Sequence, residues 1–429
     1  MTTQQGLEDR AVSRALTHQT YAWVLFALSI GLLLSDYMSR QVLNAVFPLL
    51  RHDWGLSDAQ LGTLSGVVAV MVGLLTFPLS LAADRFGRVR SIVAMALVWS
   101  LATMACGLAT SYGQMVAARI FVGVGEAAYG SVGAAVLFSI FPPQLRATIG
   151  GAFLAGGVFG SVLGIALGAH IAAAFGWRWA FQVMAGVGVM LALVYFAIAR
   201  PEQDRAPARH VARAPHAAEA LRRLGALLFS APSVIFAYIG SGLQFFVAGA
   251  FVAWLPSYLN RFYGMAPARA GSVAAIFILS GGIGMITCSI LADRASRVTR
   301  TRKISLAVGF CLSSFAAFTA AFLLSPGPAQ LILLAIAMFF SAGVGGTAGA
   351  VVVNCTDAAI HATALATLTL ANNFLGLAPG PIITGIIADH ANLAVALQIA
   401  PLASLGAAVA FWFCRRHYDR DHERIAGAA

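Results

Sequence analysis

The amino-acid sequence predicts an all-α membrane protein with twelve transmembrane helices in two pseudo-symmetric six-helix halves. Composition supports this class first. Hydrophobic residues make up 59% of the chain and charged residues only 10%, with a mean hydropathy of +0.83, whereas soluble domains carry about 25% charged residues. A series of long apolar runs, separated by turn residues or charges, supports it further.

Twelve of these runs reach the length of about 20 residues that a helix needs to cross a bilayer. The nearest turn or charge cluster sets the ends of each run. We predict spans at residues 21–47, 58–82, 91–110, 114–139, 147–172, 179–199, 232–258, 268–292, 304–324, 329–354, 362–388 and 393–414.

The one long polar stretch of the chain separates the sixth span from the seventh. It holds six arginines and three prolines, and it predicts a basic cytoplasmic linker with a short surface helix near residues 217–228. The predicted organisation is therefore an N-terminal tail, a first half, a linker, a second half and a C-terminal tail, at residues 1–20, 21–199, 200–231, 232–414 and 415–429.

The distribution of basic residues predicts the orientation. When the N-terminus is placed inside, most of the 27 lysines and arginines fall in loops on that same side, and cytoplasmic loops carry such an excess. We therefore expect a multi-pass protein of a bacterial inner membrane with both termini cytoplasmic. The net charge of +11 then marks these loops, so nucleic acid is not an expected partner. The polar N-terminus lacks the apolar core of a cleaved signal peptide, so we expect the first helix to be retained.

Enzymatic and metal-dependent functions are disfavoured. The sequence contains no nucleotide-binding loop, no nucleophile elbow and no cluster of metal ligands, and its five cysteines include no Cys-x-x-Cys pair. We predict no catalytic residue, no metal and no cofactor. A membrane sensor is disfavoured because the tails are too short for a soluble output domain.

Four charged residues lie inside predicted spans. Asp36 and Arg40 are in the first span, and Arg119 and Glu126 are in the fourth. A charge at this depth is costly and marks a functional site by default. Helical spacing places each pair on one face of its helix, with Asn44 continuing the first stripe. We predict proton coupling through Glu126 first and Asp36 second, and a static scaffold of neutralised pairs is the alternative.

An internal repeat relates the two halves. Ser80-Leu-Ala-Ala-Asp84-Arg85 ends the second span, and Ser289-Ile-Leu-Ala-Asp293-Arg294 ends the eighth. Such repeats are typical of transporters.

The first copy continues through Gly87 and Arg88 and resembles the cytoplasmic loop motif of the major facilitator superfamily, with Ser80 where the family usually has glycine. The fourth helix carries Arg119-Ile-Phe-Val-Gly-Val-Gly-Glu126-Ala, which resembles the arginine motif of the family. The resemblance covers nearly the whole chain and implies the major facilitator fold with alternating access. It also implies a conformational latch formed by Asp84, Arg85, Gly87, Arg88, Asp293 and Arg294.

Two subgroups of this superfamily share further features with the chain. The fourth-helix sequence through Tyr129, followed by Phe-Pro-Pro and Arg146, resembles the spinster-like group. The anion:cation symporter group also places a glutamate seven residues after the fourth-helix arginine. Both groups usually have an acid beside the first-helix arginine, where this chain has Ser39, and its acid stands three residues earlier at Asp36. The fifth helix lacks the Gly-Pro pair typical of drug/proton antiporters.

The resemblance implies that the first, fourth, seventh and tenth helices line a central cavity. Our candidates for substrate binding are Arg40, Arg119, Asn44, Tyr129, Gln244, Trp254, Asn354, Asn372 and Asn373. A charged half that faces an aromatic and amide half suits a small anionic or amphipathic substrate. Packing is the alternative for the aromatic residues, and interhelical hydrogen bonding is the alternative for Gln244, Asn372 and Asn373.

The combined prediction is a proton-coupled secondary transporter, working as a monomer in the lipid bilayer. We expect uptake of a small organic anion by symport, with the proton as the coupling ion. One alternative is spinster-like movement of a lysolipid or another amphiphile. A second alternative is efflux of a drug or metabolite by proton antiport.

Overall fold

The computed structural model of the chain describes residues 2–199, 228–229, 231–297, 299–357 and 360–426. Within these residues twelve helical segments are long and apolar enough to cross a membrane, and no strand occurs. The predicted fold class is therefore confirmed. Nearly all of the predicted linker, including most of its short helix, lies outside the described residues.

Most spans are single helices, and four are divided into two. The fourth span is α4 and α5, the tenth is α11 and α12, the eleventh is α13 and α14 joined by a π-helix, and the twelfth is α15 and α16. The helices are α1 (Thr2–Trp54), α2 (Asp58–Phe86), α3 (Arg88–Leu108), α4 (Tyr112–Glu126), α5 (Tyr129–Ile140), α6 (Arg146–Phe175), α7 (Trp177–Ile198), α8 (Pro232–Tyr263), α9 (Pro267–Ser296), α10 (Arg302–Leu323), α11 (Pro328–Ser341), α12 (Gly345–Asn354), α13 (His361–Ala371), the π-helix (Asn372–Leu377), α14 (Pro379–His390), α15 (Leu393–Ile399) and α16 (Leu402–Ala426).

The first and last helices extend beyond the predicted spans. α1 begins at Thr2, within the predicted N-terminal tail, and α16 continues to Ala426, past the predicted end at residue 414. Neither extension contains a proline, the residue that most strongly breaks a helix. A change from apolar to polar composition ends a membrane span without ending the helix.

The fourth span breaks immediately after Glu126. α4 ends at Glu126 and α5 begins at Tyr129. The hydroxyl of Thr76 on α2 donates to the carbonyl of Ala127 inside the break, with an O–O distance of 2.6 Å. Serine and threonine side chains commonly satisfy backbone groups that a broken transmembrane helix leaves free. The break therefore places an acidic side chain at a helix end in the middle of the bundle.

Small residues allow the two halves to approach closely at two helix–helix contacts. On α2, a Cβ atom added at Gly66 would lie 2.6 Å from the carbonyl oxygen of Ala378, next to α14. On α9, a Cβ atom at Gly271 would lie 3.1 Å from the carbonyl oxygen of Ile165 on α6. Small residues permit this close approach in membranes, where packing drives helix association. The halves are therefore joined at α2 with α14 and at α6 with α9.

An ion pair and two hydrogen bonds to backbone groups also join the halves at one end of the bundle, which we call the Asp58 end. Asp58, the first residue of α2, accepts two hydrogen bonds from Arg261 near the end of α8, at 2.6 and 2.7 Å. Asp389 on α14 accepts from the backbone N–H groups of Asp58 and Ala59, at 2.7 and 2.8 Å. Both contacts cross between the halves and hold this end closed.

Candidate functional site

A cavity of about 230 Å³ lies between the two halves. The first half contributes residues of α1, α2 and α6 to its wall, and the second half contributes residues of α8, α9, the π-helix and α14. The lining residues are Tyr37, Arg40, Gln41, Asn44, Ser65, Ala69, Ser161, Phe245, Ala248, Gly249, Val252, Ile278, Leu377 and Pro381.

Arg40 brings a positive charge to this wall. Its Nε donates to Oε2 of Glu126 at 2.9 Å, and the side chain is 20% exposed whereas that of Glu126 is 1% exposed. The ring of Tyr37 lies beneath the guanidinium, with 5.8 Å from the central carbon to the ring centroid. The two terminal nitrogens of Arg40 have no hydrogen-bond partner among the described residues. Arginine presents these nitrogens as a planar fork that suits a carboxylate.

Asp36 adjoins the same ion pair from the preceding turn of α1. The Asp36 side chain is buried, as is that of Glu126. Oδ1 of Asp36 and Oε1 of Glu126 are both buried, and neither has an ordinary donor among the described residues. A buried charged oxygen without a hydrogen-bond partner is costly, and protonation removes that cost. Asp36 and Glu126 are therefore two buried acids near the cavity arginine that could take up a proton.

Arg119 was predicted to bind substrate together with Arg40, but it has a different environment. It is fully buried. Its three nitrogens donate to the carbonyls of Leu64, Ser39 and Arg40, each at 3.2 Å. None of the described carboxylates forms an ion pair with it, and it does not line the cavity. Arg119 ties α4 to α1 and α2 through backbone groups.

Asn44 lies one turn beyond Arg40 and lines the cavity, as expected from the polar stripe. Its Nδ2 donates to Oε1 of Gln41 at 2.6 Å, and its Oδ1 has no partner in the described structure. Gln41 lines the cavity beside it. Together these amides continue the polar surface that begins at Arg40.

The other predicted binding residues of the first and second halves do not reach the cavity wall. Tyr129 is buried against Trp99 and donates to the carbonyl of Ser29 at 2.7 Å. Gln244 turns into its own half, where Nε2 lies 3.4 Å from the Ser314 hydroxyl.

Trp254 and Asn354 also contact neighbouring helices and do not reach the cavity wall. Trp254 is fully buried, its Nε1 donates to the carbonyl of Pro381 at 3.0 Å, and its ring packs on Phe47 with centroids 5.1 Å apart. Asn354, at the end of α12, donates to the hydroxyl of Tyr418 at 3.0 Å. Both residues connect helices rather than line the cavity.

Asn372 and Asn373 begin the π-helix of the eleventh span. Nδ2 of Asn373 donates to the carbonyl of Thr369 at 2.9 Å, and Oδ1 of each asparagine is buried without a partner in the described structure. A Cβ atom at Gly73 of α2 would lie 3.2 Å from Cβ of Asn373. Single-turn π-helices are frequent at functional sites. Neither asparagine lines the cavity, although Leu377 at the end of the same π-helix does.

The predicted latch residues lie at the opposite end, which we call the Asp84 end after the α2–α3 turn. Asp84 pairs with Arg88 of its own half at 2.9 Å, and the Arg85 guanidinium lies 5.8 Å from the ring centroid of Phe86. Gly87 joins α2 to α3 with φ of 101°, a conformation that favours glycine.

The second copy of the repeat has a similar arrangement. Asp293 pairs with Lys303 of its own half at 3.7 Å, and Arg294 lies in the last turn of α9. Both aspartates are largely exposed, with side chains 55% and 77% accessible. Each therefore has its ion-pair partner in its own half.

Several lining residues were missed by the sequence analysis. Tyr37 and Gln41 flank the predicted stripe on α1, so a wider stripe would have included them. Phe245 follows the predicted Gln244 by one residue, which on a helix is a rotation of about 100°. Ser65 and Ser161 belong to helices that were not assigned to the cavity. We found no group of three metal-ligating side chains in the described part of the chain.

Comparison with known proteins gives consistent relationships. A model of the Major Facilitator Superfamily matches residues 28–378. The chain is 26% identical over 381 residues to a hexuronate transporter of Bacillus subtilis (strain 168), covering 86% of this chain and 87% of that protein. It is 27% identical over 368 residues to a probable sphingolipid transporter, spinster homolog 1, of Arabidopsis thaliana, covering 80% and 74%.

A solved structure is similar in fold. The crystal structure of a bacterial homolog of the human lysosomal transporter Spinster, inward-facing and unoccupied, matches with a TM-score of 0.81 at 19% identity. The match covers 94% of this chain and 98% of that one. At this identity the comparison supports the shared architecture.

Proposed function

The chain belongs to the Major Facilitator Superfamily, and we propose that this transporter carries a small organic anion together with a proton. The observation that carries the proposal is the contact between Arg40 in the cavity wall and the buried Glu126, 2.9 Å from Nε to Oε2. A cationic side chain that can bind an anion is therefore in direct contact with an acidic side chain that can take up a proton. A hexuronate transporter among the relatives agrees with an anionic substrate.

Arg40 is the proposed binding group for the anion. Only its Nε is used by Glu126, so the terminal nitrogens can bind a carboxylate in bidentate geometry. The cavity of about 230 Å³ is smaller than the ~300–1,000 Å³ of pockets that hold drug-sized ligands. These two features favour a small ligand with one negative charge.

The proton follows from keeping the buried charges balanced. Before substrate binds, the positive charges of Arg40 and Arg119 balance the negative charges of Asp36 and Glu126. A bound carboxylate adds a further negative charge in a poorly hydrated site, where an unbalanced charge is costly. Uptake of one proton by one of the two acids restores neutrality. We therefore propose one proton for each monovalent anion.

Alternating access supplies the two openings. In this conformation the halves are joined by an ion pair at the Asp58 end, so exchange with solvent requires the Asp84 end. The excess of basic residues predicts that the Asp84 end is cytoplasmic. The proposed direction is uptake across a bacterial inner membrane with both termini inside, driven by inward proton flow.

Transport of an amphiphile is the second candidate. The relationship to spinster homologues and the apolar residues of the second half of the cavity wall favour it. A lysolipid would need room for an acyl chain in addition to its head group. The small cavity therefore supports the organic anion over the amphiphile.

Proton flux in reconstituted liposomes tests the proposal. Liposomes that contain a pH dye are challenged with sugar acids, aromatic carboxylates, dicarboxylates and lysolipids, one class at a time. We expect one carboxylate class to acidify the interior. Glu126→Gln, which cannot release a proton, should abolish the acidification while substrate exchange is retained.

The control is Glu423→Gln, the same change at an exposed position of α16, which should acidify normally. Acidification by Glu126→Gln equal to that of the native chain would remove this residue from the coupling. A response to lysolipids alone would favour the amphiphile, and alkalinisation on substrate addition would favour antiport.

A further inference from the structure

We propose that the substrate is a monocyclic aromatic carboxylate rather than a polyhydroxylated sugar acid. The inference rests on the proposed function and narrows its substrate class. It follows from how unequally hydrogen-bonding groups are distributed around the cavity between the two halves.

The polar groups of the cavity are confined to the first half. Arg40, Gln41 and Asn44 follow one another along α1, and Ser65 and Ser161 face the same cavity from α2 and α6. The amides of Gln41 and Asn44 are already bonded to each other at 2.6 Å. The strongest free donors are therefore the terminal nitrogens of Arg40, which fix the position of one carboxylate.

The second half offers the ligand an apolar surface. Its lining residues carry no polar side-chain atom and are Phe245, Ala248, Gly249, Val252, Ile278, Leu377 and Pro381. The amide of Gln244, one residue before Phe245, is directed to Ser314 instead. A ligand held at Arg40 must therefore place the rest of its body against these residues.

This surface discriminates between two kinds of carboxylate. A sugar acid carries a hydroxyl on nearly every carbon, and hydroxyls buried against an apolar wall lose their hydrogen bonds to water without replacement. An aromatic ring loses no hydrogen bond there and can pack against the ring of Phe245 in an offset or edge-on arrangement. The wall therefore favours the ring.

The size of the cavity limits the ring system. Its volume of about 230 Å³ lies below the ~300–1,000 Å³ of pockets that hold drug-sized ligands. This space suits a benzoate-sized molecule with one or two small substituents. Substituent hydroxyls would find partners only on the side of Ser65 and Ser161.

Direct binding to the purified protein tests this inference without requiring proton coupling. Isothermal titration calorimetry would compare benzoate and 4-hydroxybenzoate with gluconate and galacturonate. We expect the aromatic acids to bind at least tenfold more tightly. Phe245→Asn should reduce this preference, whereas Phe245→Leu, which keeps the surface apolar, should preserve most of it.

The outcomes separate the inference from the proposed function. Tighter binding of the sugar acids, or equal binding of both classes, would overturn the aromatic assignment while leaving anion transport intact. Failure of every carboxylate to bind, with no proton flux in liposomes, would overturn the proposed function and with it this inference. A preference unchanged by Phe245→Asn would overturn the assigned role of the second-half wall.

Discussion

The surroundings of Arg40 and Arg119 show how differently two intramembrane arginines are used in one bundle. Arg40 is partly exposed in the cavity wall and contacts one carboxylate through Nε. Arg119 is fully buried and donates to three backbone carbonyls. One guanidinium keeps free donors, and the other uses each of its nitrogens.

The difference shows that a costly buried charge marks an important site without specifying its role. A buried charge persists only when it is paired or hydrogen-bonded. Arg119 meets this requirement with the backbone of α1 and α2, so it contributes to the positions of these helices. Arg40 meets it with Glu126, a partner that can itself be neutralised by a proton. Only the second arrangement can change during a transport cycle.

Substitution of Arg119 should have the largest effect, and the effect should be on folding. Arg119→Met removes three hydrogen bonds from a cationic donor, each contributing about 1.5–3 kcal/mol, and leaves three buried carbonyls to find new partners. We expect little or no folded protein, measured by yield in size-exclusion chromatography and by thermal unfolding in detergent.

Arg119→Lys provides the matched comparison. An ammonium keeps the charge but lacks the planar fork of the guanidinium, so we expect it to restore little of the stability. Normal stability of Arg119→Met, with loss of anion binding alone, would show that the comparison between the two arginines is wrong.

Substitution of Arg40 should instead spare the fold and weaken binding. Arg40→Gln removes the charged fork from the cavity wall, and we expect the affinity for the transported carboxylate to fall about 100-fold, equivalent to ~2.7 kcal/mol. The neutral carboxamide of the same compound should bind to both forms with similar affinity. Calorimetry measures both ligands, and an equal loss for the two would indicate a structural role for Arg40.

The fold could be predicted because its signals are local and strong. Each span is an apolar run of sufficient length, and the charged residues between runs mark its ends. The break after Glu126 was not predicted, because no proline marks it and its stability depends on Thr76 from another helix. The π-helix at Asn372 was not predicted either, although Pro379 and Pro381, which lack a backbone N–H donor, follow it closely and indicate an interruption of the helix.

The site was predicted in part, because spacing along a helix shows which residues share a face but not which residues of other helices they contact. Spacing along α1 places Asp36, Arg40 and Asn44 on one face, and the structure keeps them together. Spacing along α4 groups Arg119 with Glu126, but it does not reveal that Glu126 pairs with Arg40 across helices. The rotation of α8 depends on its neighbours, which is why Phe245 rather than Gln244 lines the cavity.

A third arginine, Arg261, takes part in closing the bundle and not in lining the cavity. Arg261 shares both oxygens of Asp58, whose side chain is 3% exposed, in a contact between the halves that lies away from the cavity lining. This contact stabilises only conformations in which the Asp58 end is closed, so Asp58→Asn should shift the population toward the open state. We expect a shift of about tenfold, or ~1.4 kcal/mol, and thus a smaller effect than at Arg119 or Arg40.

Cysteine labelling from the Asp58 side of oriented liposomes measures this shift. Val252→Cys places a reporter in the cavity wall, and the five native cysteines are all buried. Asp53→Asn is the matched control, because Asp53 lies at the same end but its hydrogen-bond partners among the described residues, Trp177 and His52, belong to its own half. Labelling should accelerate about tenfold in Asp58→Asn and stay unchanged in the control. Equal rates in the two variants would mean that the glycine-mediated packing of α2 on α14, rather than the ion pair, holds the halves closed.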